Sequence, residues 1–218
     1  MKGKSHPLEN WLIKAYLWAA ELLYHSFAWT YDGVAWLVSF GYWSQWREDA
    51  LFYLLPGPVL EVGFGTGALL IEMTSRGYDV VGMELSAQML RLVGRKLRHT
   101  EMNVKRVRGN TAALPLPREC FMNVLSTFPS GYIVEDDTLS EIKRVLNKDG
   151  RCVIVGLGVR FKSKMLNWMM GWMLGKGDMA LINTFTGKVS EAGLSCRVIT
   201  HETNAYSLLV MIMEKGDD

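Results

Sequence analysis

Cysteine is scarce: three residues in 218, at positions 120, 152 and 196. Their wide separation matches no metal-ligand spacing, and an odd number cannot close a disulfide framework. Buried, reduced thiols in a cytoplasmic protein are the expectation, with no metal. An excess of one charge is also missing. Twenty-four Lys and Arg against 22 Asp and Glu leave a net charge of +2, which gives no electrostatic case for a nucleic-acid partner. No apolar run reaches the ~20 residues that a membrane-spanning helix needs. Lys14 and Glu21 interrupt the apolar N-terminal region, so a secretory signal is not expected either. Internal repeats and low-complexity tracts are absent. What is present, 49% hydrophobic and 21% charged residues, suits a single globular domain with an ample core.

Tryptophan is thin in the second half of the chain. Trp11, Trp18, Trp29, Trp36, Trp43 and Trp46 all precede Pro56, and only Trp168 and Trp172 follow it. In the first part, Trp11, Ala15, Trp18, Leu22, His25 and Trp29 recur at three- and four-residue steps, which predicts a helix over 8–29. A turn at Thr30–Gly33 and a helical or irregular segment to Leu55 follow, and Pro56-Gly57-Pro58 ends it.

The period then changes. Strands are predicted at Val59–Val62, Asp79–Met83, Val104–Arg108, Asn123–Thr127 and Cys152–Leu157. Helices are predicted at Ala68–Arg76, Ala87–Arg98 and Thr138–Leu146. This alternation implies an α/β fold, a mostly parallel sheet with helices on both faces and right-handed crossovers. The tail differs. Cys196–Thr203 and Tyr206–Glu214 are separated only by Asn204-Ala205, so they must form an antiparallel hairpin.

Gly63, Gly65 and Gly67 lie between the first strand and the first helix of this alternation, two residues after Glu61. A ligand there sits at the carboxyl end of a strand, near a helix N-terminus. A dinucleotide fingerprint wants G-x-G-x-x-G; here the third glycine comes one residue early, and Glu61 would repel a pyrophosphate. An amine or a sulfonium suits the setting better, while a tight turn without a ligand is the plain alternative. Glu84 ends the second strand, where its carboxylate can accept from both hydroxyls of a ribose. Its plain alternative is to cap the helix that begins near Ser86.

The segments "EVGFGTG", "VVGMELSAQML", "GNTAALPLP" and "LSEIKRVLNKDGRCVIV" occur in the order and spacing of the class I S-adenosylmethionine (SAM) dependent methyltransferases, which the chain resembles over about residues 56–158. The resemblance implies a Rossmann-like seven-stranded sheet with an antiparallel C-terminal hairpin, and SAM as cofactor. It implies that Glu61 and the loop Gly63, Phe64, Gly65, Thr66 and Gly67 hold the methionine end, and that Glu84 holds the ribose. Leu85 and Met89 would pack near adenine and ribose, Asn110 and the Thr111 N–H would meet the adenine, and Thr127 would lie by the methionine portion. Two departures stand out. Asn110-Thr111 replaces the Asp-Ala of many relatives, and Met122-Asn123 stands where an Asp often makes a fold-supporting contact.

Tyr31-Asp32, Ser39, Gly41 and Trp46-Arg47 resemble, more loosely, the ubiquinone/menaquinone C-methyltransferase group (methyltransferase type 11), which adds Tyr31 to the cofactor site. Bacterial phospholipid N-methyltransferases share part of this pattern. The implied organisation is one domain: a helical cap over 1–55, a cofactor-binding core over 56–158, and a lid segment with the hairpin over 159–218. The Trp- and Met-rich cap and lid, with Trp168 and Trp172, are the expected walls of the acceptor site. They serve as simple packing or as a peripheral membrane contact. His25, Tyr31, Asp32, Tyr132 and His201 are the available bases, although His25 also reads as an ordinary helix residue and Asp32 as the N-cap of a helix from Gly33. The expected acceptor is small and hydrophobic, a quinone-like or aromatic lipid first and a phospholipid amine second. A noncatalytic SAM-binding interaction module is a different class of answer, and a nicotinamide-dependent oxidoreductase is argued against by the loop and the tail.

Overall fold

A computed structural model describes residues 31–174 and 179–216. The helix expected over 8–29, with His25, lies outside the described residues.

The chain enters through two short helices, α1 (Tyr31–Val38) and α2 (Trp43–Glu48), and a 3-10 turn at Asp49–Tyr53. Tyr31, Asp32 and Gly33 are helical, so the expected turn at Thr30–Gly33 is corrected over these residues, and Asp32 is not the residue before a helix. Seven strands follow: β1 (Val59–Val62), β2 (Val80–Glu84), β3 (Lys105–Arg108), β4 (Phe121–Thr127), β5 (Leu146–Phe161), β6 (Leu194–Glu202) and β7 (Tyr206–Lys215). They form one sheet in the order β3-β2-β1-β4-β5-β7-β6. The first five are parallel, and β7 runs antiparallel to β5 and to β6, the second as the short link between β6 and β7 requires.

The helices α3 (Ala68–Ser75), α4 (Ala87–Leu97), α5 (Asp136–Val145), α6 (Lys164–Leu174) and α7 (Met179–Glu191) accompany the strands. Local chemistry sets several ends. The Ser86 side chain accepts from the Met89 N–H and caps α4. Asp136 and Asp137 open α5 while Lys143 and Arg144 close it, each sign facing the favourable end of the helix dipole. All four residues of β1 are buried, as a central parallel strand demands. The core divides into two groups of side chains: one holds Trp46, Leu70, Met73 and Leu208, the other Leu60, Ile133, Leu139 and Met211.

Three expectations need correction. Strand β5 is far longer than Cys152–Leu157, because β4 pairs with it from Leu146 and β7 pairs along its extension from Val159 to Phe161, beyond a shift in register after Val155. Only Cys152 is buried, and burial pushes its thiol pKa up; Cys120 and Cys196 are half-buried, and all three are free. The third concerns position 123. The fully buried Asn123 amide accepts from the Leu55 N–H at 2.8 Å and donates to the Leu55 carbonyl at 2.8 Å. The fold-supporting contact is therefore made by the amide, which clamps the Pro56 linker to the start of β4.

Candidate functional site

The site lies at the carboxyl end of β1. Gly63, Gly65 and Gly67 all have positive φ, at 71°, 54° and 72°. At Gly63 a side chain is excluded twice over, by that backbone and because a Cβ would stand 2.3 Å from the Tyr132 hydroxyl. The turn is pinned to β2, where the Met83 carbonyl accepts from the Gly63 N–H at 2.8 Å. Behind it, Lys96 donates to the Thr66 carbonyl at 3.0 Å.

Glu84 is 7% exposed, and its two oxygens accept from the Gly65 and Ser86 N–H groups at 2.9 and 2.8 Å. Ser86, not Glu84, provides the side-chain cap of α4. Glu84 thus buttresses the glycine loop, and each oxygen keeps a further lone pair for a ligand.

Glu61 is only 2% exposed, and its Oε2 has no hydrogen-bond partner among the described residues. Burial pushes its pKa up to about 8; Arg47 opposes the rise and Glu84 adds to it. Arg47 reaches this point from α2, with its guanidinium 5.9 Å from the centre of the Trp43 ring.

The facing wall is aromatic. Phe128 follows Thr127 at the end of β4, and its ring centre lies 4.2 Å from that of Trp43 and 5.8 Å from that of Trp46. Phe128 adopts φ +52°, unusual for a bulky residue. Its ring lies over Gly156, where a Cβ would meet it at 2.3 Å. Trp46 is buried among Phe128, Phe161 and Tyr206. Beside the loop, the Ser126 hydroxyl donates to the Val62 carbonyl at 3.1 Å and lies 3.5 Å from the Tyr132 hydroxyl.

On the remaining side, Asn110 Oδ1 accepts from the Ala112 N–H at 3.0 Å, and the Thr111 and Thr138 hydroxyls are 3.4 Å apart. The loop beyond is held by Glu141, which accepts from the Leu114 N–H, and by Arg144, which donates to Glu141 and to the Leu114 and Leu116 carbonyls. Arg144 holds the Glu141 pKa below the usual carboxylate value.

The structure therefore gathers Glu61, the loop Gly63–Gly67, Glu84 and Tyr132 at one strand end. Leu85, 61% exposed, follows Glu84, whereas Met89 is fully buried and offers no surface to a ligand. His201 is held elsewhere. Three strands separate β6 from β1. There the Tyr53 hydroxyl is 2.8 Å from His201 Nδ1, and Asp49 sits 3.5 Å from Nε2 while accepting from the Tyr206 hydroxyl at 2.6 Å. Trp168 and Trp172 lie on α6, where Trp168 is 72% exposed. Lys162, at the entrance to that segment, is ion-paired with Glu202. Ser126, Phe128 and the reach of Arg47 to Glu61 join the site without appearing among the residues expected there. The Trp46-Arg47 pair is a signal for the last, but nothing local marks Phe128.

Residues 59–150 match a family profile described as a methyltransferase domain. A demethylmenaquinone methyltransferase of Thermus thermophilus is 31% identical over 131 residues, 57% of this chain and 60% of that one. The ubiquinone/menaquinone biosynthesis C-methyltransferase UbiE of Syntrophotalea carbinolica is also 31% identical over 131 residues, 57% of this chain and 55% of that one. The chain thus spans somewhat over half the length of these relatives. Among solved structures, geranyl diphosphate C-methyltransferase from Streptomyces coelicolor is similar with a TM-score of 0.59 at 15% identity, covering 79% of each chain. Phosphoethanolamine N-methyltransferase 2 of Haemonchus contortus, solved with SAM, gives 0.57 at 15% identity over 81% of this chain and 53% of that one. At such identity these structures share the fold. Residues 59–150 thus match a methyltransferase domain, the chain is similar to these methyltransferases over part of their length, and it shares the fold of the solved ones.

Proposed function

We propose that the chain is a class I SAM-dependent methyltransferase that transfers the methyl group to a small hydrophobic acceptor, a quinone-like or aromatic lipid, as a cytoplasmic protein that meets membranes peripherally. The reading rests above all on Glu61. A buried carboxylate oxygen without a partner, two residues before a left-handed glycine turn, fits the ammonium of an α-amino acid. At Gly65, whose missing Cβ faces open space, the loop backbone is open to a ligand, while Gly63 makes way for the Tyr132 hydroxyl.

In this reading Glu61 holds the ammonium and Arg47, beside it, the carboxylate of the methionine end. Glu84 accepts from the ribose hydroxyls with its unused lone pairs. Leu85 offers apolar surface to the adenine, while Asn110 Oδ1 and the Thr111 N–H meet its edge. Thr127 lies at the methionine portion, and Tyr31 joins it from α1. SAM, when bound, supplies an electrophilic methyl on a sulfonium. The chain's task is then alignment and exclusion of water, and the wall of Trp43, Trp46 and Phe128 suits both. The Tyr132 hydroxyl beside Gly63, backed by the buried Ser126, would orient an acceptor oxygen. Asp32, Trp168 and Trp172 belong, in the same proposal, to the entry path of the acceptor. The division into cap, core and lid at residues 55 and 158 follows from it.

The test is turnover of labelled SAM with a native lipid extract, followed by the mass of the product. A methylated quinol or aromatic lipid is expected. A methylated phospholipid amine would move the acceptor to the second class, and SAM binding without turnover on any extract would make the chain a noncatalytic binding module.

A further inference from the structure

The charge of this chain is not evenly spread. Residues 85–108 hold seven Lys and Arg against one Glu, although the whole chain is only +2. Four of these cations, Arg91 and Arg95 on α4, Arg98 at its C-cap and Arg106 on β3, line one groove of about 520 Å³ with Leu90 and Gly94. Arg91, Arg95 and Arg98 have no ion pair or side-chain hydrogen bond among the described residues. Arg106 donates to the Val104 carbonyl. Like charges three and four residues apart destabilise a helix, and α4 carries no acid to relieve them. The helix dipole relieves part of this at the last turn, so the stripe is above all a concentrated cationic surface open to an anion from outside.

We propose that this arginine groove is a docking surface for the anionic phospholipid headgroups of a membrane. Three observations favour that occupant. Arg91 to Arg98 spans about 10 Å along the helix, more than one phosphate can bridge and suited to an array of headgroups. Residues 85–108 contain no Trp, Tyr or Phe, so a platform for stacking nucleic-acid bases is missing. The helix that carries Arg91 and Arg95 starts at the cofactor end of β2, just after the exposed Leu85, so the stripe and the site share one element. A membrane is also where a lipid acceptor of the proposed kind resides. To that extent the inference rests on the reading above, but the binding itself does not.

The test is co-sedimentation of the full chain with vesicles of phosphatidylcholine, alone or mixed with phosphatidylglycerol, without SAM or acceptor. Wild type should bind the anionic vesicles selectively and lose that binding as salt rises. The triple variant R91Q/R95Q/R98Q should bind them roughly a hundredfold more weakly, since each cation near an anionic surface contributes about fivefold. Its SAM affinity should stay unchanged, and R91K/R95K/R98K should retain most vesicle binding. Equal binding to neutral and anionic vesicles would overturn the proposal, as would full retention by the Gln variant. Displacement from vesicles by millimolar inorganic phosphate would make the groove a free-phosphate site. Tight binding of an RNA oligonucleotide that the Gln variant loses, with no vesicle binding, would assign it to nucleic acid. Because these arms contain no methyl donor, their outcome is independent of whether a methyltransfer assay succeeds.

Discussion

Around Gly63 the chain meets the cleft as backbone and carboxylate, whereas around Phe128 it meets it as rings. The first wall comes from residues 61–67 and 84, two strand ends side by side in the sheet. The second is assembled from residues 43, 46, 128, 161 and 206, which only the folded chain brings together. The polar wall resists change because its backbone tolerates no side chain, the aromatic wall because its parts fill one another's space. Polar geometry suits a ligand that never varies, and a packed aromatic surface suits an acceptor whose recognition is mostly apolar.

The strongest way to break the comparison is Trp46→Ala. Trp46 is 2% exposed and packs on four aromatic neighbours. Its removal should destabilise the fold by ~3–5 kcal/mol, read as a lower urea midpoint. At a temperature where the variant stays folded, SAM affinity should change little. A large loss of SAM affinity in the folded variant would mean that the two walls are one unit.

Gly63→Ala attacks the other wall. Left-handed backbone and the Tyr132 hydroxyl oppose the new methyl group, so SAM affinity should fall roughly a hundredfold by calorimetry. Adding Tyr132→Phe removes the 2.3 Å contact and leaves the ring carbon at 3.4 Å, so part of the loss should return. No recovery would show that the strain, not the space, is decisive.

Glu61→Gln should weaken SAM binding by the ~1.5–3 kcal/mol of a charge-assisted hydrogen bond. The carboxyl also has a pH signature. Its pKa in the fold is raised to about 8 from 4.5, mainly by burial. The unfolded chain therefore ionises first, and the contribution of this group to stability is full below pH 4.5 and is lost as pH rises through 8. The Gln variant should lack that slope. An ammonium partner favours the carboxylate, so SAM binding near pH 7 should release up to about one proton, measurable in buffers of different ionisation enthalpy.

Glu84→Ala should weaken SAM about tenfold or more, as a charge-assisted contact to the ribose is removed. The structure adds that Gly65 loses its acceptor as well, so the loop should exchange its amide hydrogens faster. Normal affinity with a loosened loop would leave Glu84 a buttress only.

The contrast between the walls also explains what is legible in the sequence. The parallel sheet, the antiparallel tail and the loop follow from period, link length and glycine spacing, all local properties. Asn123 stands out as a departure, but its clamp on Leu55 depends on a partner 68 residues away. Phe128 and Gly156 are neighbours only through the pairing of β4 with β5, and a positive φ at a phenylalanine has no local signal. The extension of β5 is hidden because its glycines, 156 and 158, look like the end of a strand while β7 continues the pairing past them. Helix α7 escapes a search for periodicity, since its Ile182 and Val189 are two turns apart and give no dense apolar stripe.

Trp168 sets the smallest stability effect against the most specific functional one. Its side chain is 72% exposed on α6, in contrast to Trp46, so Trp168→Ser should alter stability by less than ~0.5 kcal/mol. SAM affinity should also be unchanged, because the residue is remote in sequence from the loop and takes no part in its hydrogen bonds. If α6 admits the acceptor, turnover of a lipid-like acceptor should fall at least severalfold through a higher KM, because exposed aromatic surface at an entry path acts in binding rather than alignment. Lys162 supplies no free cationic flank to α6, since Glu202 already holds it. Vesicle binding should therefore survive Trp168→Ser and fail in the α4 arginine variant. An unchanged KM would leave Trp168 outside the acceptor path, and a kcat loss at constant KM would bring it to the reacting atoms instead.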